Sequence, residues 1–192
     1  VAEWNHATAP LHPGARCRRG KRRPLDALAP TEVTTEALRR LIPDWRPDDP
    51  PEWPARGLDW HTAAAYAAWT GARLPTVAEW NHATAPLHPG ARCRRGKRRP
   101  LDAIAWHPAN ADGQPHPVAT RADCDGLYDL FGNVRELLAA EPAGCDMVGS
   151  ARARGGSFTI TLDGPDGEWG AFMGGHDFSM ADLGLRLAID RE

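Results

Sequence analysis

The chain has 192 residues, of which 42% are hydrophobic and 25% are charged, and its formal net charge is −2. These values are ordinary for a globular domain and exclude a disordered, strongly charged chain. No apolar run approaches the roughly 20 residues that span a bilayer. No signal-peptide pattern opens the sequence, which favours a cytoplasmic location.

A duplicated basic segment dominates the charge pattern. Residues 1–29 recur at 77–105 with one difference, Leu28 against Ile104. Repeat folds need about three units, so two near-identical copies indicate a recent duplication or a gene-assembly artefact. We expect residues 1–29 to be poorly ordered or peripheral and residues 30–192 to form one domain. The basic run lacks interleaved aromatic residues and the rest of the chain is acidic, so nucleic acid is not an expected partner.

Two helices are predicted before the second copy of the repeat. Residues 31–42 lead from a strand or turn into a helix that Thr34 or Thr35 caps. Residues 58–71 predict a second helix that ends at Gly71. The side chains of this second helix that we expect to face a core are Ala64, Tyr66, Ala67 and Trp69.

A third helix is predicted at residues 77–84, inside the second copy of the repeat. Thr76 and Glu79 form the pattern T-x-x-E, in which the two side chains bond to backbone amides that the first helical turn leaves unpaired. The first copy begins at Val1 without this cap. The second copy is therefore the one expected to form the helix.

Strands are predicted mainly after residue 125. Residues 85–125 show no sustained period, which is typical of a long ordered loop. Residues 151–162 predict a strand with a Gly-Gly bulge, and residues 183–189 predict a closing strand. The expected class is α+β, with short helices around a small, mostly antiparallel sheet and much ordered loop.

The stretch GLYDLFGNVREL, residues 126–137, does not suit a helix. Glycine costs about 1 kcal/mol in a helix interior, yet Gly132 and Asn133 stand at the centre of this stretch. Asp129 and Glu136 lie on either side of them within an apolar frame. The pattern predicts a turning backbone with a role for the two acids.

Five stretches in this order resemble the formylglycine-generating enzyme (sulfatase-modifying factor) family. They are EVTTEALRRL, GLDWHTAAAYAAWTGARLPTVAEWNHAT, HPANADG, GLYDLFGNVREL and RGGSF…LGLRLA. The resemblance covers roughly residues 31–192 and implies the loop-rich, C-type-lectin-like α+β fold. The superfamily also includes the C-terminal domain of ergothioneine-pathway sulfoxide synthases and the variable proteins of diversity-generating retroelements.

The resemblance implies a structural calcium ion at residues 126–137. Mapped onto this chain, the carboxylates of Asp129 and Glu136 and the backbone carbonyls of Gly132 and Val134 are the ligands. Calcium takes six to eight oxygens, and a turning backbone can supply such a mixed set. The alternative is that Asp129 and Glu136 are surface acids on a short turn.

The enzymes of this family bind copper through two cysteines that follow the GGS motif. Here Ile160 and Pro165 stand at those positions, and neither can bind a metal. Copper and formylglycine-generating activity are therefore not expected, and no catalytic residue is assigned. Arg135 and Leu137 also replace residues that are usually Trp in the family.

The sequence is thus expected to encode a non-catalytic, calcium-stabilised module that binds an unknown protein or small ligand. A retroelement-diversified variable protein is a more specific form of this hypothesis. The rival is a metal-dependent oxidoreductase that uses a non-cysteine metal site or a partner domain. The proposed recognition surface is the loop at residues 159–182, although its apolar side chains could instead pack beneath it. Its candidate ligand-binding residues are Asp163, Asp166, Glu168, Trp169, Phe172, His176 and Phe178.

Overall fold

A computed structural model describes residues 28–84, 100–121, 126–140, 150–160 and 172–190. Residues 1–27 of the first repeat copy lie outside the described residues, and their peripheral position stays a prediction. The first strand begins at Leu28, two residues before the domain boundary that the sequence suggests.

All three predicted helices are present, and side chains cap each of them. Thr34 Oγ accepts a hydrogen bond from the Ala37 amide, and Asp59 accepts one from the Thr62 amide. At the third helix, Thr76 Oγ accepts from the Glu79 amide at 3.2 Å while Glu79 accepts from the Thr76 amide at 3.0 Å. These reciprocal bonds are the predicted capping box. The helices are α1 (Thr35–Arg39), α2 (Trp60–Trp69) and α3 (Val77–Thr84).

The prediction that Trp69 faces the core is wrong. Helix α2 buries Ala63, Tyr66 and Ala67, and Ala64 packs against the same core as a half-buried residue. Trp69 is 53% exposed. It follows Ala67 by two residues, which is a turn of about 200° around the helix axis, so it lies on the opposite face.

A five-stranded sheet forms the centre of the domain, in the order β1-β7-β4-β5-β6. Neighbouring strands are antiparallel except for β4 and β7, which are parallel. Two short strands, β2 and β3, form a separate parallel pair. This architecture confirms the predicted α+β class with a mostly antiparallel sheet. The strands are β1 (Leu28–Glu32), β2 (Ala105–Trp106), β3 (Phe131–Gly132), β4 (Arg135–Leu137), β5 (Ser150–Arg154), β6 (Phe172–Gly175) and β7 (Leu183–Ala188).

The predicted strand at residues 151–162 is shorter than expected. Strand β5 ends at Arg154, because Gly155 and Gly156 both adopt positive φ angles of 106° and 66°. Such angles are left-handed backbone that extended strands do not use. The glycine pair therefore ends the strand and starts the loop instead of forming a bulge within a longer strand.

Across the residues that the structure describes, two larger buried clusters of side chains hold the elements together, and a third, smaller one consists of Ala111, Val134 and Phe158. Of the two larger clusters, one packs α1 and α2 against strands β4, β5 and β7, with Leu38, Tyr66 and Leu185 among its members. The other gathers around Trp80 of α3 and includes Phe131. Among the described residues, none of the helices combines the length and the apolar character that crossing a membrane requires.

Candidate functional site

Residues 126–137 form a turn that only a glycine can make at its centre. Gly132 has a φ of 75°, and Asn133 follows with a φ of 55°. A Cβ atom on Gly132 would lie 1.9 Å from the Trp106 carbonyl oxygen of the paired strand β2. The glycine therefore serves both the left-handed backbone and the close approach of the two strands.

The two acids of this turn are buried, so the interpretation of them as surface acids is wrong. Asp129 is 1% exposed and Glu136 is 0% exposed. The Asp129 carboxylate accepts hydrogen bonds from the amides of Thr120 at 3.2 Å and Arg121 at 3.0 Å. Burial raises the pKa of Asp129, and these amide hydrogen bonds counteract part of that increase.

Glu136 forms an ion pair with Arg186, which lies on strand β7. Its Oε1 accepts from Arg186 Nε at 2.9 Å and lies 2.7 Å from Nη2. Its Oε2 accepts from the indole N–H of Trp80 at 3.0 Å. Arg186 is itself 0% exposed, so the ion pair lies entirely inside the protein.

A third carboxylate, Glu32 at the end of β1, completes what we call the buried ion cluster: Glu32, Asp129, Glu136 and Arg186. Glu32 accepts a hydrogen bond from Asn133 Nδ2 at 2.9 Å. Burial raises the pKa of Glu32 well above its ordinary value, and the nearby charges of Asp129 and Glu136 raise it further, while Arg186 acts in the opposite direction. The cluster therefore places three carboxylates around one guanidinium.

The side-chain oxygens at residues 126–137 do not fit a calcium site as they stand. Both oxygens of Glu136 accept hydrogen bonds from protein donors, and so do both oxygens of Asp129. Within the described part of the chain, no three His, Cys, Asp or Glu side chains are arranged to hold a metal ion. Calcium at Asp129, Gly132, Val134 and Glu136 stays a prediction.

A second network, which we call the loop clamp, consists of Arg135, Ser157, Thr159 and Asp182. Arg135 on β4 donates to Asp182 Oδ1 at 2.6 Å. The hydroxyls of Ser157 and Thr159 donate to Asp182 Oδ2 at 2.6 and 2.9 Å. Although burial opposes ionisation, the hydrogen bonds from Arg135 and Ser157 hold the pKa of Asp182 below its ordinary value. Asp182 thus joins the start and the end of the predicted recognition loop.

The described residues include part of this loop, and the expectation that residues 159–182 are loop throughout is wrong, because Phe172–Gly175 form strand β6 and pair with β5 at the edge of the sheet. His176 stacks on Trp60 of α2 with a centroid separation of 4.5 Å, so its ring packs against the domain. Phe178 is 48% exposed, and Phe172 opens strand β6. Four of the candidate ligand-binding residues lie outside the described part of the chain: Asp163, Asp166, Glu168 and Trp169.

The first position of the missing cysteine pair lies beside the loop clamp. The backbone amide of Ile160 donates to Ser157 Oγ at 3.1 Å, and its side chain carries no metal-binding atom. The second position, Pro165, lies outside the described residues, as do all four cysteines of the chain.

Arg186, Glu32 and Asp182 were not identified from the sequence. A usable signal existed for Arg186, since it is the one charge within the otherwise apolar strand LGLRLA. A charged residue inside a buried strand needs a buried partner of opposite charge. Glu32 and Asp182 carry no comparable signal, because Glu32 ends one strand and Asp182 directly precedes another, positions where an exposed acid is ordinary.

The fold and the turn at residues 126–137 define a loop-rich α+β domain with a buried charged centre. Residues 27–191 match the family model of the sulfatase-modifying factor enzyme 1-like domain, and the chain belongs to this family.

Three comparisons illustrate the range of its relatives. The inactive C-alpha-formylglycine-generating enzyme 2 of Mus musculus is 35% identical over 59% of this chain and 40% of its own length. A hercynine oxygenase of Mycobacterium tuberculosis is 29% identical over 66% of this chain and 25% of its own length. The solved structure of Treponema denticola variable protein 1 matches with a TM-score of 0.64 at 20% identity, covering 84% of this chain and 83% of that protein. The chain thus spans less than half the length of these two curated relatives.

Proposed function

We propose that this domain is a non-catalytic member of the family that binds a protein or small ligand through the loop at residues 159–182. The observation that carries the proposal is the loop clamp. Ser157 and Thr159 at the start of the loop and Asp182 at its end meet Arg135 of the central sheet. Outside strand β6, which pairs with β5, a loop held at both ends on a rigid scaffold can vary in sequence without disturbing the fold, which is how many binding loops are built.

The replaced cysteine positions support the absence of formylglycine-generating chemistry. Copper(I) binding needs soft sulfur ligands, and Ile160 offers none beside Ser157. The name of the mouse relative, an inactive formylglycine-generating enzyme, is consistent with a non-catalytic role in the family.

A finer form of the proposal is a variable recognition protein diversified by a retroelement. Its support is the fold shared with Treponema denticola variable protein 1. The genomic test is a template repeat near the gene that matches the segment after RGGS except at adenines. Without such a repeat, the finer form fails while the general binding role stands.

The rival function, a metal-dependent oxidoreductase, draws on the hercynine oxygenase relative. Because this chain spans 25% of that protein, the rival requires ligands from a partner domain. Stoichiometric iron that survives gel filtration would favour it.

The binding proposal is tested with two exposed aromatic residues. Phe178 lies in the loop and is 48% exposed, and Trp69 lies on α2 and is 53% exposed. The wild type, Phe178→Ala and Trp69→Ala are each applied to a printed array of glycans and proteins. We expect at least one ligand whose binding Phe178→Ala reduces about tenfold and Trp69→Ala leaves unchanged, as for a central aromatic contact. Equal losses in both variants, or copper-dependent turnover of a sulfatase peptide, would contradict the proposal.

A further inference from the structure

The guanidinium of Arg186 binds Glu136, one of the four predicted calcium ligands, and connects it to other parts of the fold. From strand β7 it donates to the carbonyl of Ala29 in β1 at 2.9 Å and to the carbonyl of Tyr128 at 2.6 Å. It also donates to Glu136 in β4 at 2.9 Å. Four of its N–H groups, counting the second contact to Glu136, therefore bind oxygens from three separate segments.

Protein donors already occupy both carboxylate oxygens of Glu136, a ligand that calcium would need. Calcium requires six to eight oxygen ligands, but Glu136 Oε1 already accepts from Arg186 and Oε2 from Trp80. A calcium ion beside Glu136 would also lie close to the Arg186 cation in a region where both side chains are 0% exposed. Two cations that share one carboxylate in a dry interior repel each other strongly.

The other carboxylates of the cluster have their own hydrogen-bond donors. Asp129 accepts from the amides of Thr120 and Arg121. Glu32 accepts from the Asn133 side chain. No carboxylate of the cluster thus depends on a metal ion for a partner.

We propose that Arg186 is the resident cation of this site, which the family resemblance assigns to calcium, and that the domain folds and keeps its stability without calcium. The arginine then performs the structural role of a metal ion. It fixes the turn at residues 126–137 against β1 and β7 and neutralises Glu136 inside the core. Since the cation is part of the chain, the scaffold that supports the loop does not respond to the calcium concentration.

The first test uses the wild-type protein. Thermal unfolding is followed in an excess of EGTA and in millimolar calcium chloride, after removal of bound metal. We expect the two melting temperatures to agree within about 1 °C, because a ligand that does not bind the native state does not stabilise it. Stabilisation by calcium of about 5 °C or more would overturn the proposal.

The second test changes the cation itself. Arg186→Met leaves Glu136 buried without its partner, and we expect the melting temperature to fall by about 10 °C or the protein not to fold. Adding Glu136→Gln removes the unpaired charge and keeps an acceptor for Trp80, so the double variant should recover at least half of the loss.

The matched control is Arg46→Met, which breaks a partly exposed ion pair with Asp49 but leaves Asp49 paired with Arg56, and it should change the melting temperature by about 2 °C at most. An Arg186→Met variant as stable as this control would overturn the proposal. So would a double variant with no recovery.

Discussion

The buried ion cluster and the loop clamp each pair an arginine with a carboxylate, but they join different parts of the molecule. Arg186 connects strands β1, β4 and β7 with the turn at residues 126–137. Arg135 connects β4 with the two ends of the loop at residues 159–182, through Asp182. One network fixes the scaffold and the other fixes the place where the loop at residues 159–182 leaves it. The turn at residues 126–137 and the ends of the loop are therefore held by two separate buried ion pairs.

The largest expected effect concerns the turn beside the ion cluster. Gly132→Ala places a Cβ atom 1.9 Å from the Trp106 carbonyl oxygen, and we expect a loss of about 4 kcal/mol or more in the free energy of unfolding. The matched control is Gly71→Ala, since Gly71 has a similar φ of 74° and no atom within 4 Å of the added Cβ. The control should lose about 1 kcal/mol. Equal losses in urea denaturation would show that backbone strain alone, and not the close approach, requires the glycine.

The next effect separates the loop clamp from the scaffold. Asp182→Asn removes the negative charge that faces Arg135 in a buried ion pair, and we expect a loss of about 2 kcal/mol in the free energy of unfolding at pH 7. Folding lowers the pKa of Asp182 below its ordinary value of 3.8. At pH values above 3.8, the ionised carboxylate of Asp182 therefore stabilises the fold in full. This stabilisation is lost as the pH falls below the ordinary pKa and then through the lower pKa that Asp182 has in the folded state.

Urea denaturation at pH 7 and near pH 3 measures this loss. The free energies of unfolding of the wild type and of Asp182→Asn should differ less near pH 3 than at pH 7. Asp177→Asn serves as the control, because the Asp177 side chain is 99% exposed. A difference that grows in acid would contradict the assigned hydrogen bonds.

A smaller effect measures the coupling inside the clamp. A double-mutant cycle of Arg135→Met and Asp182→Asn should give an interaction energy of about 1.5 kcal/mol, since the two side chains share one buried ion pair. Additive losses would mean that Arg135 does not hold Asp182.

The smallest effect on stability belongs to the exposed loop. Phe178→Ala should change the free energy of unfolding by no more than about 0.5 kcal/mol. Phe158 lies next to Ser157 and is only 5% exposed. Phe158→Ala should therefore lower the free energy of unfolding by about 3 kcal/mol. If Phe178→Ala lowers the stability as much as Phe158→Ala does, then Phe178 packs within the protein and is not available as an exposed aromatic contact for a ligand.

Local patterns predicted the helices well, and the buried charges poorly. The capping box at Thr76 and Glu79 depends on neighbouring residues and could be identified from four letters of sequence. Trp69 was misplaced because α2 contains no charged residue that would mark its exposed face. The sequence predicted a turn at Gly132. It could not predict the close contact of Gly132 with Trp106, because that contact depends on the pairing of β2 with β3.

Arg186 shows why the centre of the site could not be predicted in full. It lies 50 residues after Glu136 and more than 150 after Ala29 in the sequence, so its partners are brought together only by the sheet order β1-β7-β4. The family resemblance indicated that Asp129 and Glu136 surround a cation. It did not indicate that the chain itself supplies one. Asp182 was missed for the same reason, because Arg135 and Ser157 reach it only in the folded sheet.

The metal content of the purified native protein, measured by mass spectrometry after extensive dialysis, tests most directly whether Arg186 takes the place of a metal ion. We expect less than about one tenth of an equivalent of calcium, copper or iron, since Arg186 already pairs with Glu136 and Ile160 and Pro165 stand where copper-binding cysteines would be needed. One equivalent of copper or iron would contradict the proposed non-catalytic function. One equivalent of calcium would instead contradict the role of Arg186 as the resident cation and leave the binding function standing.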